Sequence, residues 1–450
     1  MNWNWPRIPR AIWRRRSAVN SAGLSPNLAL NQLVEQRRAA GESLVHLAFG
    51  EARLPLLPQL AEQLAIGAAR TSYGPVAGSP QVRAAVAGYF ARRRLPTDPD
   101  QIVVAPGSKA LLMAIQLAIP GDVVLPRPAW NTYLPQVNYA GKRAFGVPIP
   151  AEYGGVPNPE ALRDTLVRAR REGGTPRLLI LTLPDNPTGT LAPPEVIRQL
   201  CVLARAEDLL IVSDEIYRDI VHDPAATPFL SPAELAPERT IVVSGLSKSL
   251  GLGGWRIGVA RFPGGDLGDR LRNPVLAAAS ELWSGLAAPM QQVAAYAYAE
   301  PPEITERIVD AARLHGQVAR AVHRIAVEAG ARCRPPTAGF YVYPDLEPLR
   351  PRLAARGITG SASLAEALLG ESGIVVLAGH LLGDDPGALR FKAATSLLYG
   401  DEQQQSAALA AADPVALPQI QANLAQIAHG LARLTDQRSI AAEAKTGVTQ

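Results

Sequence analysis

A lysine directly after a short apolar run, Lys248 in Ser244-Gly245-Leu246-Ser247-Lys248-Ser249, is placed to form a Schiff base with a carbonyl compound if its surroundings lower its pKa. Arg256 follows eight residues later and can reach the same ligand. Asp214 in Ser213-Asp214-Glu215-Ile216-Tyr217 stands at the end of another apolar run, where a carboxylate is costly unless it meets a cation or a donor. The six histidines show no metal-ligand spacing, so a pyridinium nitrogen suits Asp214 better than a metal. In Asp185-Asn186-Pro187-Thr188-Gly189, Pro and Gly set a tight turn and Asn186 offers an amide that can donate to a ring oxygen. Pro106-Gly107-Ser108-Lys109 opens a helix whose first N–H groups can face a phosphate. Taken singly, each cluster is also what an ordinary turn provides. Two alternatives fail on spacing: Gly251, Gly253 and Gly258 miss the dinucleotide fingerprint, and Gly245-Leu246-Ser247-Lys248-Ser249 does not complete a nucleophile elbow.

The elements that must hold these residues are short and β-branched. Runs at 102–104, 123–125, 178–183, 209–212, 241–243 and 257–260 alternate with helical stretches such as 110–118 and 195–206. Strands without polar alternation, separated by helices, predict an α/β fold with a mainly parallel sheet sandwiched by helices, its ligands beyond the carboxyl ends of the strands. A helix is expected near 25–40 and a strand at 45–49. After residue 304 the pattern changes to a long helix through 329, a strand at 339–343, another near 389 and a final helix at 419–434. We expect a basic arm at 1–22, an N-terminal segment at 23–60 joining a smaller α+β domain, a large domain at 61–303 and the small domain at 304–450. Residues 401–417, rich in Gln, Ala and Asp, read as a loop or a mobile helical insertion.

Composition excludes other classes. Of 450 residues, 47% are hydrophobic and 19% charged, which is a globular balance. The net charge of +5 comes from 45 basic residues, only five of them lysines, and is spread too thinly for nucleic-acid binding. No apolar run reaches the ~18 residues that span a bilayer. Two distant cysteines, Cys201 and Cys333, suggest neither disulfide nor zinc and fit a reducing cytoplasm. The first 34 residues carry no acid, and Trp3, Trp5 and Trp13 lie among five arginines, a segment that reads as a flexible or partner-packed arm.

In order and spacing, Asn186-Pro187-Thr188-Gly189, Asp214-Glu215-Ile216-Tyr217 and Ser247-Lys248 with Arg256 resemble the class I/II aminotransferases, fold-type I pyridoxal-phosphate enzymes; the gaps are 28 residues from Asn186 to Asp214 and 34 from Asp214 to Lys248. The similarity covers about 25–395 and the last helix. It implies a pyridoxal 5'-phosphate-dependent aminotransferase acting on an α-amino acid through Schiff-base exchange at Lys248 and a quinonoid intermediate. Asp214 would pair with the pyridine nitrogen, Asn186 and Tyr217 with the ring hydroxyl oxygen, and Trp130 would stack on the ring. Ser108, Lys109, Ser247 and Arg256 would hold the phosphate. Tyr73 would reach the phosphate of a neighbouring subunit, implying a homodimer. Gly50 and Arg390 would receive the substrate α-carboxylate, Arg390 through its planar fork.

The chain departs from the family at Ala52-Arg53-Leu54-Pro55, which lines the entrance differently, and at Gly245, where many relatives carry serine. Two other outcomes share the resemblance: elimination, replacement, cyclisation or oxidation on the same cofactor, and a regulatory sensor, for whose winged-helix domain the basic arm is too short.

Overall fold

The computed structural model describes residues 25–435; the expected basic arm lies outside the described residues. Twelve strands follow in order: β1 (Val45–His46), β2 (Ile102–Pro106), β3 (Asp122–Arg127), β4 (Ala144–Pro148), β5 (Pro176–Thr182), β6 (Leu210–Asp214), β7 (Thr240–Gly245), β8 (Ile257–Arg261), β9 (Tyr341–Val342), β10 (Ile374–Val375), β11 (Leu377–Ala378) and β12 (Phe391–Ala394). β2 to β8 form one seven-stranded sheet in the order β2-β8-β7-β6-β5-β3-β4. β3 to β7 run parallel, and β8 is antiparallel to both of its neighbours.

The central strands are apolar throughout because both faces are covered. Leu179 and Leu181 of β5 pack with Leu162 and Leu166 of helix Pro159–Arg171 and Leu200 of helix Pro194–Ala206. Leu178 and Ile180 turn to the opposite face, against Leu111 and Ile115 of helix Ser108–Ala118 and Val275 of helix Gly265–Leu282. This two-residue alternation needs no polar face, so the runs appear continuous in sequence. β4 escaped the sequence reading because Gly146 and Pro148 disguise it as a turn; as the edge strand it tolerates both.

A second core gathers on helix Pro302–Glu328, whose Leu314, Val318 and Val322 pack with Val342, Phe391 and Ile427. β11-β12-β9 forms a small antiparallel sheet here. The N-terminal segment enters this core directly: β1 pairs in parallel with β10, and Val45 and Leu47 are buried among its residues. Of the anticipated 45–49 strand, Val45–His46 forms the ladder, and Leu47 continues it with backbone bonds to Val375 and Ala394, both at 2.7 Å. The last helix spans Pro418–Thr435.

Of the two readings of 401–417, the structure takes the helical one. Asp401 accepts from the Gln404 backbone N–H at 2.9 Å while Gln404 accepts from the Asp401 N–H at 3.0 Å, a reciprocal cap that starts helix Glu402–Ala410. Ala408 and Leu409 then bury against the second core, and Pro414–Ala416 forms a 3-10 turn. Small alanines made that apolar face hard to see in the sequence.

Candidate functional site

The four clusters meet because each terminates, or directly follows, a strand of the large sheet. They line one cleft of about 510 Å³. Asp214 ends β6 and is 2% exposed. Desolvation raises its pKa to about 6, against the hydrogen bonds of Tyr133 and the Ile216 N–H. The Tyr133 hydroxyl donates to Asp214 Oδ2 at 2.9 Å and lies 2.8 Å from Thr182 Oγ1. Glu215, one residue on, does not line the cleft. Its buried carboxylate accepts from Ser213 Oγ at 3.0 Å and Arg218 Nη1 at 2.8 Å, so it is satisfied within the fold, whereas Asp214 has no guanidinium partner among the described residues.

Lys248 lies in the four-residue helix Leu246–Ser249 after β7, and its Nζ donates to the Gly50 carbonyl at 2.5 Å. Desolvation in the cleft is the main reason its ammonium titrates near 8; Glu51 opposes the shift and Arg256 adds to it. This meets the condition for Schiff-base chemistry, since a larger share of the amine is free near neutral pH.

The phosphate end is built from backbone as much as side chain. Gly107, at φ +93°, turns the chain from β2 into helix Ser108–Ala118, whose first N–H groups lack intrahelical partners. A Cβ at Gly107 would stand 2.3 Å from Arg256 Nη2, and one at Gly258 would stand 2.3 Å from Ser108 N, so glycine at both positions brings β8 and Arg256 against the helix start. Ser108, Lys109, Ser247 and Arg256 all face the cavity. Lys109 Nζ sits 5.2 Å over the Trp130 ring.

At the opposite end Asn186 donates through Nδ2 to Tyr217 Oη at 3.2 Å, and Tyr217 Oη meets Tyr341 Oη at 2.7 Å. The other polar atom of the Asn186 amide is buried without a partner. An orphaned buried amide facing a cavity is an acceptor or donor kept for a ligand. The residues therefore fit pyridoxal phosphate: cations, hydroxyls and a helix start for a phosphate, an amine for an aldehyde, a carboxylate for a ring nitrogen, an amide and a phenol for a ring hydroxyl, and an indole for a ring face.

Arg390 lies elsewhere, and Tyr73, expected in a neighbouring subunit's site, lies outside this cleft. Arg390 was expected to front this cleft; instead its guanidinium pairs with Asp345 at 3.1 Å and Asp384 at 3.4 Å and faces a second cavity beside Thr188 and Tyr343. The bridge between Asp345 and Arg390 in the small sheet brings the first of these acids alongside. Tyr73 is 96% exposed and does not line the cleft of its own chain. Sequence reading also missed Tyr133, Tyr341 and Lys392, which line the cleft, and Asn27, whose amide donates to Asn131 Oδ1 at 3.0 Å near its mouth. A signal existed for Lys392, a rare lysine inside an apolar strand; none existed for Tyr133, which opens the short helix Tyr133–Tyr139. Among the described residues no cluster of three or more His, Cys, Asp or Glu is placed to hold a metal, and no helix is long and apolar enough to cross a membrane.

Comparison with known proteins agrees with this geometry. The family described as aminotransferase class I and II matches residues 42–436. The aspartate/prephenate aminotransferase of Thermus thermophilus is 31% identical over 386 residues, covering 82% of this chain and 91% of that protein. The aspartate aminotransferase of Geobacillus stearothermophilus is 31% identical over 403 residues, covering 84% and 95%. The solved Thermus thermophilus aspartate aminotransferase with maleate superimposes with a TM-score of 0.75 at 27% identity, covering 94% of this chain and 98% of that structure.

Proposed function

This chain belongs to the class I and II aminotransferases and is a pyridoxal-phosphate-dependent transferase; on that premise we propose that Lys248 and Asp214 carry the reversible transfer of an amino group between an α-amino acid and a keto acid. The observation that carries this reading is that an amine titrating near 8 and a buried carboxylate face one cavity with a phosphate cradle at its end. When bound, pyridoxal phosphate supplies the aldehyde that accepts the amino group and a ring that takes up the electron pair released at the substrate Cα.

The chain's own groups do the rest. Lys248 would anchor the cofactor and, once released, would carry the proton from the substrate Cα to the cofactor's C4′, a task suited to an amine near neutral pH. Asp214, oriented by Tyr133, holds the proton on the ring nitrogen. Asn186 and Tyr217 bond to the ring hydroxyl oxygen, and Trp130 covers the ring face. Ser108, Lys109, Ser247 and Arg256 bind the phosphate. Gly50 approaches the substrate carboxylate. The exposure of Tyr73 supports a role in a neighbouring subunit's site, and we take a homodimer as the working unit. Both relatives' names put aspartate first among the amino donors to test. The relatives favour transamination over the other reactions that this cofactor supports.

Purified holoenzyme mixed with single amino acids, without a keto acid, tests this. Conversion of the cofactor to its pyridoxamine form with one equivalent of keto acid is expected. Ammonia or peroxide released without that form would overturn it.

A further inference from the structure

Tyr341, on β9 of the small sheet, touches three segments that build the cleft. Its hydroxyl lies 2.7 Å from Tyr217 Oη. Glycine at position 50 leaves room for that hydroxyl, because a Cβ there would overlap it, and glycine at position 189, in the turn that carries Asn186, leaves room for the Tyr341 carbonyl in the same way. The backbone around the phenol is pinned: Tyr341 pairs with Ala394 of β12, the Thr337 N–H donates to the Gly189 carbonyl at 2.8 Å, and the Gly339 N–H donates to the Ile220 carbonyl at 2.9 Å. At 1% exposure the side chain is held on every side.

Each phenol brings one proton and two lone pairs. Burial, aided by Asp214 for both and by Asp185 for Tyr341, pushes the two hydroxyls above the ordinary phenol range, so each keeps its proton near neutral pH. Asn186 Nδ2 occupies one lone pair of Tyr217 Oη at 3.2 Å. Were Tyr217 to donate to Tyr341, its single proton would be spent on a protein oxygen, and the Tyr341 proton, which has no other acceptor among the described residues, would be buried unpaired. When Tyr341 donates instead, its proton is paired and that of Tyr217 is left for the cleft, which Tyr217 lines. Lys392 favours this order, since its Nζ lies 5.2 Å from the Tyr341 ring centroid and a nearby cation makes a phenol a stronger donor. We propose that Tyr341 is a positioning residue: its hydroxyl donates to Tyr217 Oη and thereby aims the Tyr217 proton at the ring hydroxyl oxygen of the cofactor. The proposal rests on the pyridoxal-phosphate aminotransferase reading above. It makes a strand of the small sheet part of the cofactor site.

A donor on that ring oxygen draws off negative charge and loosens the proton held beside it, so the absorbance of the bound cofactor titrates at lower pH than it would without the donor. The test titrates that absorbance in wild-type, Tyr341→Phe, Tyr217→Phe and doubly substituted holoenzymes, with thermal midpoints to confirm that each is folded. Tyr217→Phe removes the donor and is expected to raise the midpoint by about one pH unit or more. Tyr341→Phe keeps the ring and its packing and is expected to raise it by about 0.3–0.5 pH unit, roughly a two- to threefold gain in proton affinity, because the Tyr217 proton is no longer aimed. The double variant should match Tyr217→Phe, since a residue that acts through Tyr217 then has nothing left to act on. An unmoved midpoint in Tyr341→Phe would assign the hydroxyl to packing and overturn the proposal. A midpoint moved to lower pH would overturn it too, because Tyr217 would then have been the donor to Tyr341, and so would a further shift in the double variant or no shift in Tyr217→Phe. If the midpoints move as stated and no amino acid yields a keto acid, the transamination reading fails while the role of Tyr341 stands.

Discussion

Tyr133 and Asp214 are joined by a 2.9 Å hydrogen bond although 81 residues separate them, and the same phenol lies 2.8 Å from Thr182 Oγ1. In the function proposed above, Asp214 is the carboxylate that pairs with the cofactor's ring nitrogen, and desolvation works against its charge. Among the described residues, Tyr133 supplies the one side-chain donor that favours it. Removing a hydrogen bond to a buried charge costs about 1.5–3 kcal/mol. We expect Tyr133→Phe to keep its cofactor and lose about 10- to 100-fold in kcat. Steady-state kinetics with the cofactor's absorbance titrated against pH would check it; an unchanged kcat would assign the phenol to packing.

Lys248 is one of five lysines in the chain, and two of the others, Lys109 and Lys392, face the same cavity. Borohydride reduction of the holoenzyme followed by peptide mass spectrometry should place the cofactor on Lys248. Lys248→Ala should remove the label and lower turnover by about 10⁴-fold, the upper range for a lost acid–base group. A label on Lys109 or Lys392 would reassign the anchor.

Gly107 combines φ +93° with a Cβ position 2.3 Å from Arg256 Nη2. Alanine there strains the backbone and pushes the guanidinium away from the helix start. Gly107→Ala should raise the dissociation constant for pyridoxal phosphate about tenfold or more while kcat at saturating cofactor changes little. Equilibrium dialysis of the cofactor measures this directly, and equal affinity would mean that Arg256 does not hold the phosphate.

Lys392 gives the protein a calculable pH response. Burial lowers its pKa from 10.5 to about 7, so between those values the unfolded chain binds more protons than the folded one. Its unfavourable effect on stability is therefore absent above about pH 10.5, grows as pH falls, and is complete below about 7. Lys392→Met should raise the thermal midpoint of the cofactor-free protein by about 2–5 °C near pH 6 and by progressively less towards pH 10. A gain independent of pH would mean the amine is solvated or paired.

Much of the large sheet is legible from residue order because its strands are buried on both faces and carry no polar alternation to confuse them. β5, β6 and β7 are built on apolar runs, and the polar residues clustered at the end of each fall where ligands sit, which is how Asn186, Asp214 and Lys248 stand out. β4 and the helix at Glu402–Ala410 are less legible, since an edge strand tolerates Gly and Pro and an alanine face barely registers as apolar.

Sequence alone determined the chemistry: an amine, a carboxylate, an amide and a phosphate cradle at intervals that suit one cofactor. It also put Arg390 and Lys392 on the same side of one strand, because side chains two residues apart along a strand share a face. Which of those cations faces the cleft was decided by folding. Asp345, 45 residues upstream, and Asp384 converge on the guanidinium and neutralise it, leaving the ammonium of Lys392 buried, under the like charge of Lys248, with no acid of its own among the described residues. Charge pairing between distant segments depends on three-dimensional proximity, and no local pattern along the chain encodes it.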